Sequence, residues 1–549
     1  MSFDKNNEEY LKINTKKLDK EIYDLLINAS DDELSAAFSL ELEFGTAGIR
    51  GILGAGSGRF NVYTIKKVTI SYAKLLMLKY PNDLHRGVVI GHDNRHNSTK
   101  FAQLTAEILT SFGIKAYLFK NNKMKPTPVI SFAVKDLNAI GGVVITASHN
   151  PADYNGYKIF DEFGCQLIDE ETKIITINMN EIKDYLAEYK LDESLMEVVG
   201  TKTINNYKKI INNLQFYKEE HKNNFKIIFS AVNGTGTEFT PPILDSGYDV
   251  IEVKEHAFED PTFKNVINPN PEFDPAKIPL EYGEKHNDAK LIIIQDPDAD
   301  RVGCAVNCNG KIRLDGNQMG AILIDKLSQK QKFNSMPKNP VMYSSFVTSD
   351  LGDKISSETY GVKVIKTLTG FKMGSEILKE PERNLNFVFA YEESFGYILD
   401  SSTKDKDGIQ AAVGLVEAAY YSLQNQTLVD VLNNIYKKYG YYYTHTKNLN
   451  YKPEEIKSKI EPIMLKLRSD IGDNFKEIQL KYVEDYIDGL YNMPGQDLLK
   501  FYFIDGSCAV RPSGTEPKIK IYFVTIGKTE NEAKQKYQIL ENTLNNILK

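Results

Sequence analysis

Short apolar runs recur along the chain, each ending in a polar loop. They fall in pairs. Gly87-Val88-Val89-Ile90 precedes Gly142-Val143-Val144-Ile145, and Lys226-Ile227-Ile228-Phe229 precedes Leu291-Ile292-Ile293-Ile294. Val341-Met342-Tyr343 precedes Phe387-Val388-Phe389. Apolar residues on consecutive positions predict strands buried on both faces. Helical patterns lie between the runs. Over residues 64–78, Ile65, Val68, Tyr72, Leu75 and Leu76 share one helical face. Residues 11–38 also read as helical with exposed charges, and residues 45–58 as a Gly-rich loop. The alternation predicts three α/β units of similar size.

After about Gly440 the pattern changes. Tyr441, Tyr442 and Tyr443 open a segment of long charged helical patterns, closed by a strand at 519–525 and a helix at 531–548. This predicts a fourth, smaller α+β domain. The expected fold is therefore α/β, with three similar mixed domains and a smaller C-terminal one. Boundaries are expected at 1–205, 206–314, 315–440 and 441–549. A chain of 549 residues is too long for one hydrophobic core, which agrees with several domains.

The second run of each pair leads into the most chemically loaded loop of its unit: 146–150, 296–301 and 392–396. Ligand sites in α/β sheets favour the carboxyl ends of strands, so three such loops are expected to face one cleft. Thr146-Ala147-Ser148-His149-Asn150-Pro151 offers an exposed hydroxyl at a strand end, or a plain turn. A Ser-His hydrolase fits poorly, because adjacent Ser and His side chains rarely face each other and no Gly-x-Ser-x-Gly elbow is present.

Asp296, Asp298 and Asp300 occupy alternate positions on a tight loop ending in Arg301, where they can converge on one hard cation. Oxygen ligands and high charge suit Mg²⁺. A calcium loop of the EF-hand type wants Gly and Glu where this chain has Arg301 and Asn307. Arg511-Pro512-Ser513-Gly514-Thr515-Glu516-Pro517-Lys518 can curl backbone N–H groups around an anion, with Arg511 adding a bidentate contact. Arg50 sits in a flexible, Gly-flanked loop, and Glu392, Glu393 and Ser394 can bond sugar hydroxyls. A hydroxyl, a cation site, a sugar-type loop and a phosphate loop are the parts that phosphoryl transfer needs.

Composition narrows the partners. The formal net charge of -7 argues against wholesale nucleic-acid binding, which needs a basic face. An anionic substrate then requires a local basic cleft. Cys165, Cys304, Cys308 and Cys508 form no zinc set and read as reduced thiols. The first nine residues are polar and acidic without an apolar signal core, and no apolar stretch reaches the roughly 20 residues that span a bilayer. A cytoplasmic protein is expected, with no membrane and no obligatory protein partner.

These segments, with Asn155-Gly156-Tyr157-Lys158 downstream of Ser148, resemble the α-D-phosphohexomutase family, which includes phosphoglucomutases and phosphomannomutases. All four family motifs occur in family order, from Gly45 to beyond Lys518. The resemblance implies four domains around a central cleft and interconversion of hexose 1-phosphate and hexose 6-phosphate. It implies that Ser148 carries the phosphoryl group and that its phosphate, with Asp296, Asp298 and Asp300, binds one Mg²⁺. Arg50 and Arg301 would lie near the transferring phosphate, and His149 and Lys158 would serve the reacting hydroxyl. Glu393, Ser394 and Lys406 would contact the sugar, while Arg511, Ser513, Gly514 and Thr515 hold the other phosphate. A sugar 1,6-bisphosphate would be the activator. Beside Arg301 and Mg²⁺, Lys158 is expected to have its charged form disfavoured and to exchange protons near neutral pH.

The sugar loop Glu393-Ser394-Phe395-Gly396-Tyr397 lacks the His of mutases acting on both mannose and glucose, and Phe371 stands where some relatives have His. Lys406-Asp407-Gly408 is closer to the phosphoglucomutase pattern, so glucose phosphate is favoured over mannose phosphate. The chain also resembles a long subgroup that includes phosphopentomutases. Two rivals stand apart. In a metal-dependent aspartyl phosphatase Asp296 would be the nucleophile, and a silent sugar-phosphate binding protein would bind without turnover.

Overall fold

The computed structural model describes residues 18–39, 41–45, 48–182, 185–215, 225–245, 247–266, 268–271, 275–308, 310–333, 336–379, 385–422, 426–451, 455–469, 475, 478–513 and 518–548. Its strands form four sheets. The first is built from β1 (Phe44–Gly45), β2 (Gly48–Ile52), β3 (Val88–His92), β4 (Ala116–Phe119), β5 (Gly141–Ile145), β6 (Tyr154–Asp161) and β7 (Met196–Val199), in the order β1-β2-β6-β5-β3-β4-β7. The second holds β8 (Lys226–Ser230), β9 (Asp249–Glu252), β10 (Leu291–Gln295), β11 (Val302–Val306) and β12 (Ile312–Leu314), in the order β12-β11-β10-β8-β9. The third has β13 (Pro340–Ser345), β14 (Lys363–Thr367), β15 (Asn386–Glu392) and β16 (Gly396–Ile398), in the order β14-β13-β15-β16. The last comprises β17 (Tyr441–Asn450), β18 (Leu480–Asp485), β19 (Leu499–Phe503), β20 (Gly506–Pro512) and β21 (Lys518–Gly527), in the order β17-β21-β20-β19-β18.

The paired runs of the sequence are sheet neighbours. β3 lies parallel to β5 with Val88 opposite Gly141, and β8 lies parallel to β10 with Ile227 opposite Leu291. Every residue of β3, β5 and β10 is buried, as consecutive apolar positions require. The helix Val62–Lys79 is capped by the Asn61 side chain, which accepts from Tyr63 N and Thr64 N. Its predicted face, Ile65, Val68, Tyr72, Leu75 and Leu76, is buried in the first core. A second core gathers Ile228, Val253, Ile292 and Ile294. A third gathers Leu499, Val510, Ile521, Phe523, Leu540 and Leu544 under the C-terminal sheet.

Three expectations change. Within 11–38, residues up to 17 lie outside the described residues, and the rest forms two helices, Lys20–Asn28 and Asp31–Phe38. Ser30 divides them through a capping box with Glu33, whose carboxylate accepts from Ser30 N while Ser30 Oγ accepts from Glu33 N. Within 45–58, β2 pairs antiparallel with β6, Arg50 opposite Gly156. Arg50 is therefore held on a strand, because the Gly-rich segment finds ladder partners that its own composition does not advertise. The segment opened by Tyr441 begins with the ten-residue strand β17, paired with β21 along its length.

The chain divides into two compact units. The first runs to Asp315 and adds Phe371–Phe389 and Ser394–Tyr421; the second holds Gly316–Gly370, Ala390–Glu393 and Ser422–Lys549. Among the described residues, no helix is long and apolar enough to cross a membrane.

Candidate active site

In the first unit, β5 ends at Ile145 and the chain turns through Ser148, whose φ of 52° is left-handed. That conformation is uncommon for a residue other than Gly, Asn or Asp. Ser148 is buried, only 1% exposed, where an exposed hydroxyl was expected. It donates to Asp296 Oδ2 at 2.9 Å, and its Oγ lies 3.1 Å from His149 Nδ1. Adjacent Ser and His were expected to face apart. The left-handed turn at Ser148 brings the two side chains to the same side instead.

The carboxylates of Asp296, Asp298 and Asp300 are buried, and one oxygen from each lies within 4.8 Å of the others. Ala299 makes this possible. It adopts a φ of 53°, and its N–H donates to Asp296 O at 2.9 Å, closing a turn that aims alternate side chains inward. Arg301 N donates to Asp296 Oδ1 at 2.9 Å. Thr127 holds the middle carboxylate, with Oγ1 donating to Asp298 Oδ2 at 2.7 Å and N donating to Asp298 O at 2.9 Å. Burial, with the carboxylates of Asp300 and Asp298 beside it, pushes Asp296 well above the usual carboxylate range. Asp298 Oδ1 and Asp300 Oδ1 are buried without a hydrogen-bond partner. Three converging hard oxygens, two with a free lone-pair face, suit a divalent cation such as Mg²⁺.

Two lysines close on the triad. Lys158, on β6, places Nζ 2.7 Å from Asp298 Oδ2 and 2.9 Å from Asp300 Oδ2. Burial opposes its charge, but Asp298 and Asp300 outweigh burial and hold its pKa above the ordinary lysine value. Its nearest charged groups are thus carboxylates, whereas the expectation of a disfavoured ammonium rests on Arg301 and a bound Mg²⁺. Lys406 lies 3.3 Å from Asp300 Oδ2 and 2.9 Å from Asp405 Oδ1, and the same balance raises its pKa. For Asp300, burial is outweighed by Lys158 and Lys406, so its pKa falls well below the usual value.

The segment carrying Lys406 is clipped to the 296–301 loop: Gly408 N donates to Ala299 O at 3.0 Å. A Cβ at Gly408 would lie 2.6 Å from Arg301 O, so only glycine permits this approach. Arg50 donates to Asn150 Oδ1 at 2.8 Å, next to the Ser148 turn. Arg301 forms a strand bridge with Gly396, and Val302 N donates to Phe395 O at 3.2 Å. The chain next to Ser394 is thereby tied to the loop that ends in Arg301. Phe395 has a φ of 68°, the third left-handed residue in these loops.

The second unit holds the remaining candidates. Glu393 accepts from Thr348 Oγ1 at 2.9 Å and from Ser345 Oγ at 3.4 Å. Arg511 stands on β20 opposite Lys520, and its guanidinium donates to Thr369 Oγ1. Its Nε is buried without a hydrogen-bond partner. Ser513 N donates to Lys518 O at 2.8 Å. Gly514 and Thr515 lie outside the described residues.

Several contributors escaped the sequence reading. Thr127 sits between two prolines in Pro126-Thr127-Pro128, a polar residue at a helix start that could have drawn notice. Asp405 holds the Lys406 backbone and ammonium while accepting from Gln166 Nε2. Asp93 and Arg95 follow β3, at the same strand end as the loops that were singled out. Thr348, partner of Glu393, carries no local signal.

Four family descriptions match the chain in succession. "Phosphoglucomutase/phosphomannomutase, alpha/beta/alpha domain I" covers residues 41–186, domain II 205–310, domain III 315–439, and the C-terminal domain 466–537. A Staphylococcus aureus (strain MRSA252) protein named phosphoglucomutase is 33% identical over 543 residues, 94% of this chain and 95% of that protein. The open form of parafusin, a phosphoglucomutase from Paramecium, superposes with a TM-score of 0.71 at 18% identity, covering 92% of this chain and 96% of that one. N-acetylphosphoglucosamine mutase of Aspergillus fumigatus, solved with GlcNAc-6P and magnesium, gives a TM-score of 0.50 at 12% identity over 93% and 97% of the two chains.

Proposed function

The chain belongs to the phosphoglucomutase/phosphomannomutase family, and from that premise we infer that it is a hexose-phosphate mutase working through Ser148. The observation that carries the reading is the 2.9 Å hydrogen bond from Ser148 to Asp296, inside a buried carboxylate triad. That pairing sets an oxygen nucleophile against a cation site. Asp296, Asp298, Asp300 and the phosphate on Ser148 would hold one Mg²⁺, which supplies charge to offset the phosphoryl oxygens.

In the first transfer, the bond between Ser148 Oγ and phosphorus breaks while a bond to a sugar hydroxyl oxygen forms. The product is a hexose 1,6-bisphosphate. That bisphosphate reverses its orientation, and its other phosphate returns to Ser148. Lys158 and His149 handle the hydroxyl protons, His149 standing 3.1 Å from Ser148 Oγ. Arg50 and Arg301 face the equatorial oxygens, and Lys406 adds a further buried ammonium. Glu393 and Ser394 hold the ring hydroxyls, and Arg511 with Ser513, Gly514 and Thr515 holds the phosphate that is not reacting. Free sugar bisphosphate restores phospho-Ser148 when the intermediate escapes.

Glucose phosphate is the favoured substrate, supported by the name of the Staphylococcus relative and by Lys406-Asp407-Gly408. The cytoplasm, where sugar phosphates are metabolised, is the compartment this activity suits. A panel of glucose, mannose and pentose 1-phosphates, run with ³²P-labelled bisphosphate, tests the reading. Label on Ser148 that chases into hexose phosphate is expected. Phosphate release without labelled Ser148 favours the aspartyl phosphatase, and turnover confined to pentose phosphate reassigns the substrate.

A further inference from the structure

We propose that Arg95, locked by Asp93, is the positioning residue that sets the Ser148 turn for phosphoryl transfer; the inference rests on the mutase reading. Arg95 and Asp93 have fully buried side chains, with Nε 3.2 Å from Asp93 Oδ2. The guanidinium fork meets four backbone carbonyls between Ser148 and Tyr154. One terminal nitrogen donates to Ser148 O at 2.7 Å and to Asn150 O; the other donates to Tyr154 O at 2.9 Å and to Pro151 O. A planar donor fork suits such a convergent set, whereas an ammonium is a single point of charge.

Asp93 completes the frame from behind. It accepts from Arg95 N at 3.0 Å, Ser98 Oγ at 2.9 Å and Thr146 Oγ1 at 2.6 Å. Thr146 Oγ1 in turn accepts from Ser148 N at 2.7 Å. Ser148 is thus gripped at its own N–H through Thr146 and at its own C=O by Arg95. A left-handed serine persists only when its surroundings over-determine it, and these contacts do so.

Arg95 and its neighbour Asn94 also reach the segment 260–263. The Arg95 guanidinium lies over the Phe263 ring, 5.2 Å from its centroid, and Asn94 Nδ2 donates to Asp260 O at 3.0 Å. Phe263 belongs to the core that also contains Ile292 and Ile294 of β10, the strand leading into Asp296. Arg95 therefore references the nucleophile to the sheet that presents the triad. Its guanidinium is committed to Asp93 and to backbone carbonyls between Ser148 and Tyr154, which makes Ser148 the route of its influence.

Arg95→Lys tests this. The variant keeps the charge beside Asp93 but loses the fork. With folding checked by circular dichroism and thermal unfolding, kcat is expected to fall about 10²-fold, the size of effect that a misplacement of about 1 Å produces. The KM for glucose 1-phosphate should stay within about threefold, because sugar contacts are untouched. Single-turnover ³²P transfer onto Ser148 and off it should slow by the same factor. Transfer rates equal to the parent's, or a loss expressed wholly in KM, overturn the proposal. Should Arg95→Lys not fold, Asp93→Asn decides, with about a tenfold slower transfer expected at unchanged KM; parental transfer rates there overturn it equally. A parent that takes no label at Ser148 overturns the mutase reading, whereas a labelled parent matched by the variants overturns this inference alone.

Discussion

Ser148 donates its hydroxyl to Asp296 across 2.9 Å, joining two strand-end loops that lie 148 residues apart in the chain. Both partners are buried, so a serine oxygen is presented to a carboxylate whose own charge is disfavoured by burial and by Asp300 and Asp298. A phosphoryl group on that oxygen would add further negative charge, which a divalent cation and the surrounding Lys and Arg side chains can offset.

Ser148→Ala should abolish mutase turnover while leaving the fold and hexose-phosphate binding largely intact, because it removes the oxygen proposed to carry the phosphoryl group. Turnover, calorimetric binding of glucose 1-phosphate and thermal unfolding check the three parts. Near-parental turnover would rule out a phosphoserine.

Asp298→Asn removes one negative ligand while keeping an acceptor for Thr127 Oγ1, now 2.7 Å away. Weaker Mg²⁺ binding and a large loss of turnover are expected. Titration of Mg²⁺ against activity and binding heat provides the check; an unchanged Mg²⁺ dependence would show that the acidic loop holds no cation.

Arg511→Ala should let the bisphosphate escape between the two transfers, because this residue is assigned to the phosphate rather than to the sugar ring. More bisphosphate released per turnover, and a stronger requirement for added bisphosphate, are the expected signs in single-turnover assays. A variant that leaks no more intermediate than the parent contradicts the assignment.

Asp407 governs a pH effect on stability. Its carboxylate accepts from Tyr207 Oη at 3.0 Å and from the N–H groups of Ile409 and Gln410, yet burial pushes its pKa up to about 7 from 3.8. The folded state therefore binds more protons than the unfolded state between those values. Its contribution to stability is greatest below the unfolded pKa and declines as pH rises through the folded one, by up to about 4 kcal/mol. Asp407→Asn should flatten the fall in unfolding midpoint between about pH 4 and 7. Thermal melts across that range measure it, and parallel slopes for the two proteins would contradict it.

The sequence by itself determined which strands are buried and which loops leave their carboxyl ends. Runs such as Leu291–Ile294 and the residues that follow them are properties of near neighbours, so Ser148 and the Asp296, Asp298, Asp300 set were legible without coordinates. The tertiary structure alone decided what those residues meet. Arg95 reaches Ser148 O from 53 residues away, and Thr127 reaches Asp298 from 171 away. Local sequence can mark such residues but not name their partners, because a side chain's partners across the fold depend on how sheets stack and pair, not on spacing along the chain. The same reason sets the surroundings of Lys158. Its charge state depends on which groups surround it in space, and the closest are Asp298 and Asp300. Arg50, read as part of a flexible loop, became a strand residue because β6 supplied the hydrogen-bond partners that its glycine-rich surroundings could not announce.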